Sequence, residues 1–371
     1  MKVFYDLRYA ADHFPGIGTH AYCLLEALLE LPGDERYQVL WNPSLKQTRF
    51  DLRAIQNHPR VEWIERPYKP VNPLSVLQVG ALLRQTKPDV YLSPFYFLPA
   101  MAGCPCVLTL HDVWPLRLPG GLPFLRRMLY QLVLARAARA RLIITSSAFS
   151  KREIHELSAM HGDMVRVVHL GVPPTRGRIE ARKPASLPRD PFALIVGVNK
   201  PHKNLPMLAK AWALLGANPP LRLVSAGPTD ARHPRLQELC EQAGARDVTV
   251  LGRVDEDELE YLYKHATVLL FPTLYEGFGF PLVEAFEHGV AVIASDIPTL
   301  REIGDGVARF CDPTQPQAWA DAITEVARDN QLRADMQDAG LKRAQSLTYA
   351  HTAAKTLEVL HEACKPDVDP S

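Results

Sequence analysis

Short runs rich in β-branched residues alternate with segments of helical periodicity along nearly the whole chain, and the alternation breaks only once. In the first half the strand-like runs are residues 2–6, 37–41, 61–64, 90–92, 106–111, 142–145 and 165–169. Helix-like segments such as 18–31, 74–83, 124–139 and 147–157 separate them. A chain that alternates in this way buries each run between helices in a parallel sheet, so the fold class is α/β. The break is GVPPTRGRIEARKPASLPRDP at residues 171–191, whose five prolines can neither continue a helix nor pair as a central strand. Beyond it the pattern resumes, with strands expected at 192–198, 221–226, 248–251, 268–271 and 291–294 and only helices after that. The expected organisation is therefore two doubly wound parallel sheets, at residues 1–175 and 191–346, with a linker at 176–190. A last segment, 347–371, carries apolar residues at helical spacing.

The totals agree and exclude several classes. A chain of 371 residues is too long for one ordinary core and suits two. With 47% hydrophobic and 22% charged residues it reads as soluble and globular, and a net charge of +1 speaks against a surface devoted to nucleic acid. No run approaches the roughly 18–20 apolar residues that span a bilayer. The opening Met1-Lys2-Val3-Phe4-Tyr5 enters an apolar run without a charged leader, so a cytoplasmic protein is expected. Cys23, Cys104, Cys106, Cys240, Cys311 and Cys364 show no metal-ligand spacing and read as reduced thiols, and no metal or cofactor is expected.

In open α/β sheets ligands gather outside the carboxyl ends of strands, so the chemistry belongs in the loops that follow them, facing a cleft between the two sheets. The richest such loop is FPTLYEGFGFPLVE, residues 271–284. Pro281 is placed to open a helix and Gly289 to end it. The N–H groups near Leu282 and Val283 would then offer a seat for phosphate oxygens, with Gly277 and Gly279 allowing close backbone approach. Of Glu276 and Glu284, one carboxylate can accept from the two hydroxyls of a ribose while the other reaches a transferred sugar. The plainer alternative is a solvated Glu276 and a Glu284 that complements the helix dipole. In GVNKPHKNLPMLAKAW, residues 197–212, Lys200 and Lys203 follow the first strand of the second half, where positive charge can neutralise a diphosphate leaving group. His111 and Asp112 follow the run CVLTL, again at a carboxyl end, though a single histidine is more often structural.

These segments together resemble family 4 of the retaining, nucleotide-sugar-dependent glycosyltransferases, whose GT-B fold has two Rossmann-like domains. The resemblance covers nearly the full length. It rests on the E-x7-E pair Glu276 and Glu284 inside EGFGFPLVEAF, PHKNL at 201–205, PGIGTH near the start, LHDVWPL around His111, SSAFSKREI after Thr145, and SAGP at Ser225. It implies that Glu284 holds the nucleotide ribose, that Glu276 contacts a donor-sugar hydroxyl, and that backbone N–H groups of Gly277, Phe278, Gly279 and Phe280 line the sugar. Lys203 would bind the diphosphate, with Lys200 as a second charge, and His202 stands where many relatives carry arginine. His111 would lie by the transferred sugar.

Gly16-Ile17-Gly18-Thr19-His20-Ala21 also fits a G-x-G-x-x-A dinucleotide fingerprint, but about nine residues separate it from its strand where the fingerprint needs a tight turn. The resemblance instead brings this loop, through Gly16 and above all Gly18, to the donor phosphates. It implies a front-face transfer in which the departing phosphate takes the acceptor's proton, and a last helix that returns to the first domain. The donor suggested is GDP-mannose, with UDP-glucose open, and the acceptor a polysaccharide or lipid-linked oligosaccharide. A nucleotide-sugar epimerase of the same fold and a non-catalytic nucleotide-sugar-binding protein are the alternatives.

Between His111 and Arg152 eight basic residues, Arg117, Arg126, Arg127, Arg136, Arg139, Arg141, Lys151 and Arg152, face a single acid, Asp112. With Phe124, Leu125, Leu129, Leu132 and Val133 interleaved, this region suits contact with an anionic membrane at its inner face. A core helix with a solvated basic face would give the same pattern.

Overall fold

The computed structural model describes residues 1–117, 123–158, 160–172, 180–187 and 191–366; residues 176–179 and 188–190 of the expected linker lie outside these. The chain divides into two compact units, Met1–Pro173 with Thr348–Ser371, and Pro174–Leu347.

The first unit is built on a parallel sheet of strands β1 (Lys2–Asp6), β2 (Arg36–Trp41), β3 (Val61–Glu65), β4 (Val90–Ser93), β5 (Cys106–Thr109), β6 (Leu142–Thr145) and β7 (Val165–Val167). They are ordered β3-β2-β1-β4-β5-β6-β7. Strands β4, β5 and β6 are buried at every position, because helices cover both faces. The last helix, Tyr349–Ala363, lies in this unit and packs against helix Pro15–Glu30. Gly171 has no room for a Cβ, which would come within 2.1 Å of the Tyr349 nitrogen, so the chain passes closest to this helix where it has no side chain.

The second unit repeats the plan with β8 (Phe192–Val196), β9 (Arg222–Ala226), β10 (Val248–Gly252), β11 (Val268–Phe271), β12 (Ala291–Ser295) and β13 (Arg309–Cys311). Its order is β10-β9-β8-β11-β12-β13. Strand β13 corrects the expectation of helices alone after residue 294. It is a three-residue edge strand paired with Ile293–Ser295, and its exposed Arg309 and short length leave no alternation to read. The core of this unit gathers Trp212 and Trp319, both fully buried, around Leu208, Leu223, Leu270 and Ile323.

In each sheet the strand order reverses beside the first strand, between β1 and β4 and between β8 and β11. Connections leave these neighbours in opposite directions, and the space outside their carboxyl ends is left open for a ligand.

At the first of these points Asp6 ends β1 and is wholly buried with Arg8, at 2.8 Å to Nε and 2.6 Å to Nη2. It also accepts from the Tyr91 hydroxyl at 2.9 Å. Both buried charges are thus hydrogen-bonded, which a buried pair requires. Among the described residues no helix is long and apolar enough to cross a membrane.

Candidate functional site

In the second unit the loop after β8 and the loop after β11 meet at the point where the strand order reverses. The first turns through a short 3-10 helix, Pro201–Lys203, before helix Leu205–Leu214. The second runs to helix Phe280–Glu287. They are bonded together by backbone and side chain: the Leu274 N–H donates to the His202 carbonyl at 2.7 Å, and Lys203 Nζ donates to Glu276 Oε1 at 2.6 Å. Lys203 and Glu276 keep 18% and 16% of their side-chain surface exposed, so the pair is sheltered yet open to a ligand. The Lys203 ammonium also stands 5.1 Å from the centre of the Phe271 ring, on the last residue of β11.

Two threonines hold Glu276 in place, and the sequence reading missed both. The buried Thr273 hydroxyl lies 3.0 Å from Glu276 Oε1 and 3.0 Å from the His202 carbonyl, while Thr299 donates to the Glu276 carbonyl at 2.8 Å. Their signal in sequence is one of position only: Thr273 follows β11 by two residues and Thr299 opens the helix after β12. His202 is half-buried, and its imidazole is pushed down to about 4 by that burial and then by the charge of Lys203, so it is neutral at pH 7. Lys200 is exposed at the head of the same turn.

Glu284 sits in the first turns of helix Phe280–Glu287 and accepts from the Tyr263 hydroxyl at 2.6 Å. Burial raises its carboxyl above the ordinary value of 4.5, and the Tyr263 hydrogen bond, His288 and Lys203 oppose the rise only in part. His288, one turn on, reaches Glu260 with Nε2 at 3.0 Å and the Glu284 carbonyl with Nδ1 at 2.7 Å. Gly279 opens the helix at φ +100°, a conformation that favours glycine, and a Cβ there would come within 2.7 Å of Leu300. Gly277 and Phe280 are part-exposed along the loop, while the Phe278 ring is buried 5.6 Å from that of Phe280. The expectation that Leu282 offers its N–H to phosphate is corrected: that group is spent on the Gly279 carbonyl at 3.0 Å, and the Leu282 and Val283 side chains are fully buried in the core.

Beside this pair a cleft is lined by Gly197, Asn199, Lys203, Gly227, Thr229 and Arg235. The loops after β8 and β9 come together here because neither has a side chain: a Cβ on Gly227 would lie 2.2 Å from the Gly197 carbonyl oxygen. Asn199 ties the same loops, donating to the carbonyls of Asp230, His233 and Pro234 at 2.9–3.1 Å.

The expected residues of the first half lie in the first unit. His111 follows β5, and its imidazole is pushed down to about 4 by burial, against a hydrogen bond with the Pro94 backbone. Its Nε2 is buried without a partner among the described residues. His20, which the sequence reading did not single out, stands edge-on to it with ring centres 4.9 Å apart. Gly16 and Gly18, expected on a loop that approaches the donor phosphates, are helical instead. Both belong to the first turns of helix Pro15–Glu30, and Gly18 is packed where a Cβ would meet the Tyr9 carbonyl at 2.8 Å. Pro15 starts the helix earlier than the glycines suggest. Among the described residues no group of three or more His, Cys, Asp or Glu is placed to hold a metal ion.

Residues 15–176 match the profile of glycosyltransferase family 4, and residues 178–343 that of the glycosyl transferases group 1. The chain belongs to the family 4 glycosyltransferases. It is 28% identical over 290 residues to the O-antigen chain mannosyltransferase B of Escherichia coli, an alignment spanning 74% of each chain. A D-inositol 3-phosphate glycosyltransferase of Paenarthrobacter aurescens is 36% identical over 136 residues, 36% of this chain and 33% of that one. Among solved structures the Anabaena protein HepE in complex with UDP and glucose matches with a TM-score of 0.68 and 18% identity, covering 98% of this chain and 100% of that one. This likeness shows the fold, GT-B.

A carboxyl that is harder to ionise in the folded chain than in the unfolded one binds its proton more tightly in the fold. The native state of this glycosyltransferase therefore loses stability as pH rises from the ordinary value of 4.5 through the raised value of Glu284. Glu284→Gln is expected to melt at a higher temperature than the parent at pH 7, with the difference closing as the pH falls below about 4.5. Equal melting temperatures at both pH values would show that the Glu284 carboxylate carries no such cost.

Proposed function

We propose that the protein is a retaining glycosyltransferase that moves a hexose, mannose from GDP-mannose in the first instance, onto a polysaccharide or lipid-linked oligosaccharide, with no metal or other cofactor. The observation that carries this reading is the Lys203–Glu276 pair at the reversal point of the second sheet, one loop from the half-buried Glu284. A nucleoside diphosphate brings its own negative charge to Lys203 and takes the place of the Glu276 carboxylate as its partner. Glu276, still held by Thr273 and Thr299, then turns its acceptor oxygens to a donor-sugar hydroxyl. Glu284 takes the ribose hydroxyls, and the loop Gly277–Phe280 supplies backbone N–H groups along the sugar.

Charge that builds on the leaving diphosphate is stabilised by Lys203, with Lys200 on the same turn. In the front-face course of such a reaction the glycosidic C–O bond to the diphosphate breaks, the acceptor oxygen bonds to the same face of the anomeric carbon, and the departing phosphate oxygen takes the acceptor's proton. The likeness to the Escherichia coli mannosyltransferase favours mannose.

The membrane part of the reading rests on helix Phe124–Ala137. Only Leu134 and Ala137 of it are buried, while Phe124, Leu125, Leu129 and Leu132 are 54–78% exposed, which a helix serving the core alone would not leave in water. Arg126, Arg127 and Arg139 form no ion pair among the described residues, whereas Arg117 is held by Glu153 at 2.6 Å. An apolar face flanked by unpaired arginines suits the inner, anionic face of a cytoplasmic membrane.

Incubation of the purified chain with GDP-mannose, UDP-glucose and their counterparts, together with a mannose-terminated oligosaccharide, is expected to give a product only with one donor. NMR of the new linkage should show the donor's anomeric configuration. An inverted product would overturn the retaining mechanism, and sugar conversion without an acceptor would replace transfer by epimerisation. In a sedimentation assay the chain is expected to pellet with vesicles containing anionic lipid, less so at high salt, and hardly at all after the paired substitutions Leu129→Glu and Leu132→Glu. Pelleting unchanged by those substitutions would move the contact elsewhere.

A further inference from the structure

At the edge of the first sheet where the strands begin, opposite the loops that follow them, the first unit holds a cavity of about 610 Å³. That lies within the ~300–1,000 Å³ range of small-molecule sites. One wall is the segment from Leu98 to Cys106, which leads into β5. The other is formed by Arg136, Arg139 and Arg141, at the end of helix Phe124–Ala137 and in the turn into β6. No acidic side chain is among its described lining residues.

Both walls are held. A Cβ on Gly80 would lie 1.7 Å from the Ala100 carbonyl oxygen, so the first wall is pressed against helix Pro73–Thr86, and the Ala100 N–H donates to the Val76 carbonyl at 2.8 Å. Across the cavity Arg136 is fixed by its Nε, which donates to the Leu98 carbonyl at 3.0 Å. Arg139 and Arg141 are exposed. Three guanidiniums around one cavity suit a ligand that brings carboxylates.

Two thiols line the same cavity. Cys104 is part-exposed, and the buried Cys106 follows two residues on. A hydrogen bond from the Cys106 thiol holds Cys104 below the ordinary thiol value of 9.0 against the effect of burial; the Tyr91 backbone assists it and Asp89 opposes it. The Asp89 carboxylate itself accepts from the Lys2 N–H at 2.6 Å. The same thiol contact, with burial, pushes Cys106 up, so Cys104 is the member of the pair that ionises. A thiolate is the nucleophile of disulfide exchange, and a partly exposed, electropositive setting favours it.

We infer that this cavity is a thiol-exchange site, at which Cys104 takes up half of a small anionic disulfide of the glutathione kind while Arg136, Arg139 and Arg141 seat its carboxylates. The Cys104 thiolate attacks one sulfur of the disulfide. A new S–S bond to Cys104 forms, the S–S bond of the ligand breaks, and the other half departs as a thiolate that takes up the proton Cys104 gave to water. The disulfide is the oxidant, so the exchange needs no further reactant. Cys106, buried and protonated, does not displace the bound half. The inference concerns the first unit alone and does not rest on the proposed function.

The test incubates the reduced full chain with glutathione disulfide, which is anionic, or with cystamine, which is cationic, and assigns each modified cysteine over time by peptide mass spectrometry. Cys364, exposed and outside the cavity lining, is the comparison within the same chain. Relative to Cys364, Cys104 is expected to react roughly tenfold faster with the anionic disulfide than with the cationic one. The paired substitutions Arg139→Gln and Arg141→Gln should remove most of that preference. Because both disulfides meet one thiol, a change in its acidity alone would leave their ratio as it was. An unmodified Cys104, equal relative rates with the two disulfides, a preference that survives loss of the arginines, or a Cys104–Cys106 disulfide as the end product would each overturn the inference.

Discussion

The pairing of β8 with β11 is the constraint on which the geometry of the candidate site depends. These strands are neighbours in the sheet although their loops are far apart in the chain, and only that adjacency brings Lys203 to Glu276 across 73 residues. The strands are buried and apolar because a parallel sheet between helices has no wet face, so their register is fixed by packing and cannot drift. The loops inherit that rigidity. They are bonded to one another through the His202 carbonyl, and the glycines at 197 and 227 let the neighbouring loops close to a distance no side chain would permit.

A site of this kind runs against stability, and the energetics of Glu284 express that conflict. Its carboxylate is held in a sheltered place by one tyrosine hydroxyl and weak neighbouring charge, so ionisation is resisted and the fold bears the cost at neutral pH. The first unit handles its buried charge differently. Asp6 is satisfied on both oxygens by Arg8 and Tyr91, which fixes the end of β1 and leaves nothing unspent for a ligand. The same architecture thus carries a wholly buried ion pair at one reversal point and a part-exposed one at the other.

Most of the architecture was legible because strand burial and loop chemistry leave strong local traces. The runs at 2–6, 142–145 and 268–271 match observed strands to the residue, and Pro281 and Gly289 mark the two ends of helix Phe280–Glu287 within a residue or two. What escaped depended on partners distant in sequence. Strand β13 is defined by its pairing with β12 rather than by any pattern of its own. Thr273, Thr299 and Tyr263 look like ordinary residues until the fold sets them against the two glutamates. The loop expected at Gly16 and Gly18 is instead the first turn of a helix that Pro15 starts, and Gly18 lets that helix pack closely on the turn after β1.

In the proposed function Lys203 is held ready for the phosphate nearest the transferred sugar. Calorimetric titration of GDP and of GMP into the parent chain and into Lys203→Met isolates that contact, because the two nucleotides differ only in the phosphate the lysine should meet. The parent is expected to bind GDP at least tenfold more tightly than GMP, and Lys203→Met to bind both alike. A preference for the diphosphate that survives the loss of the lysine would contradict it.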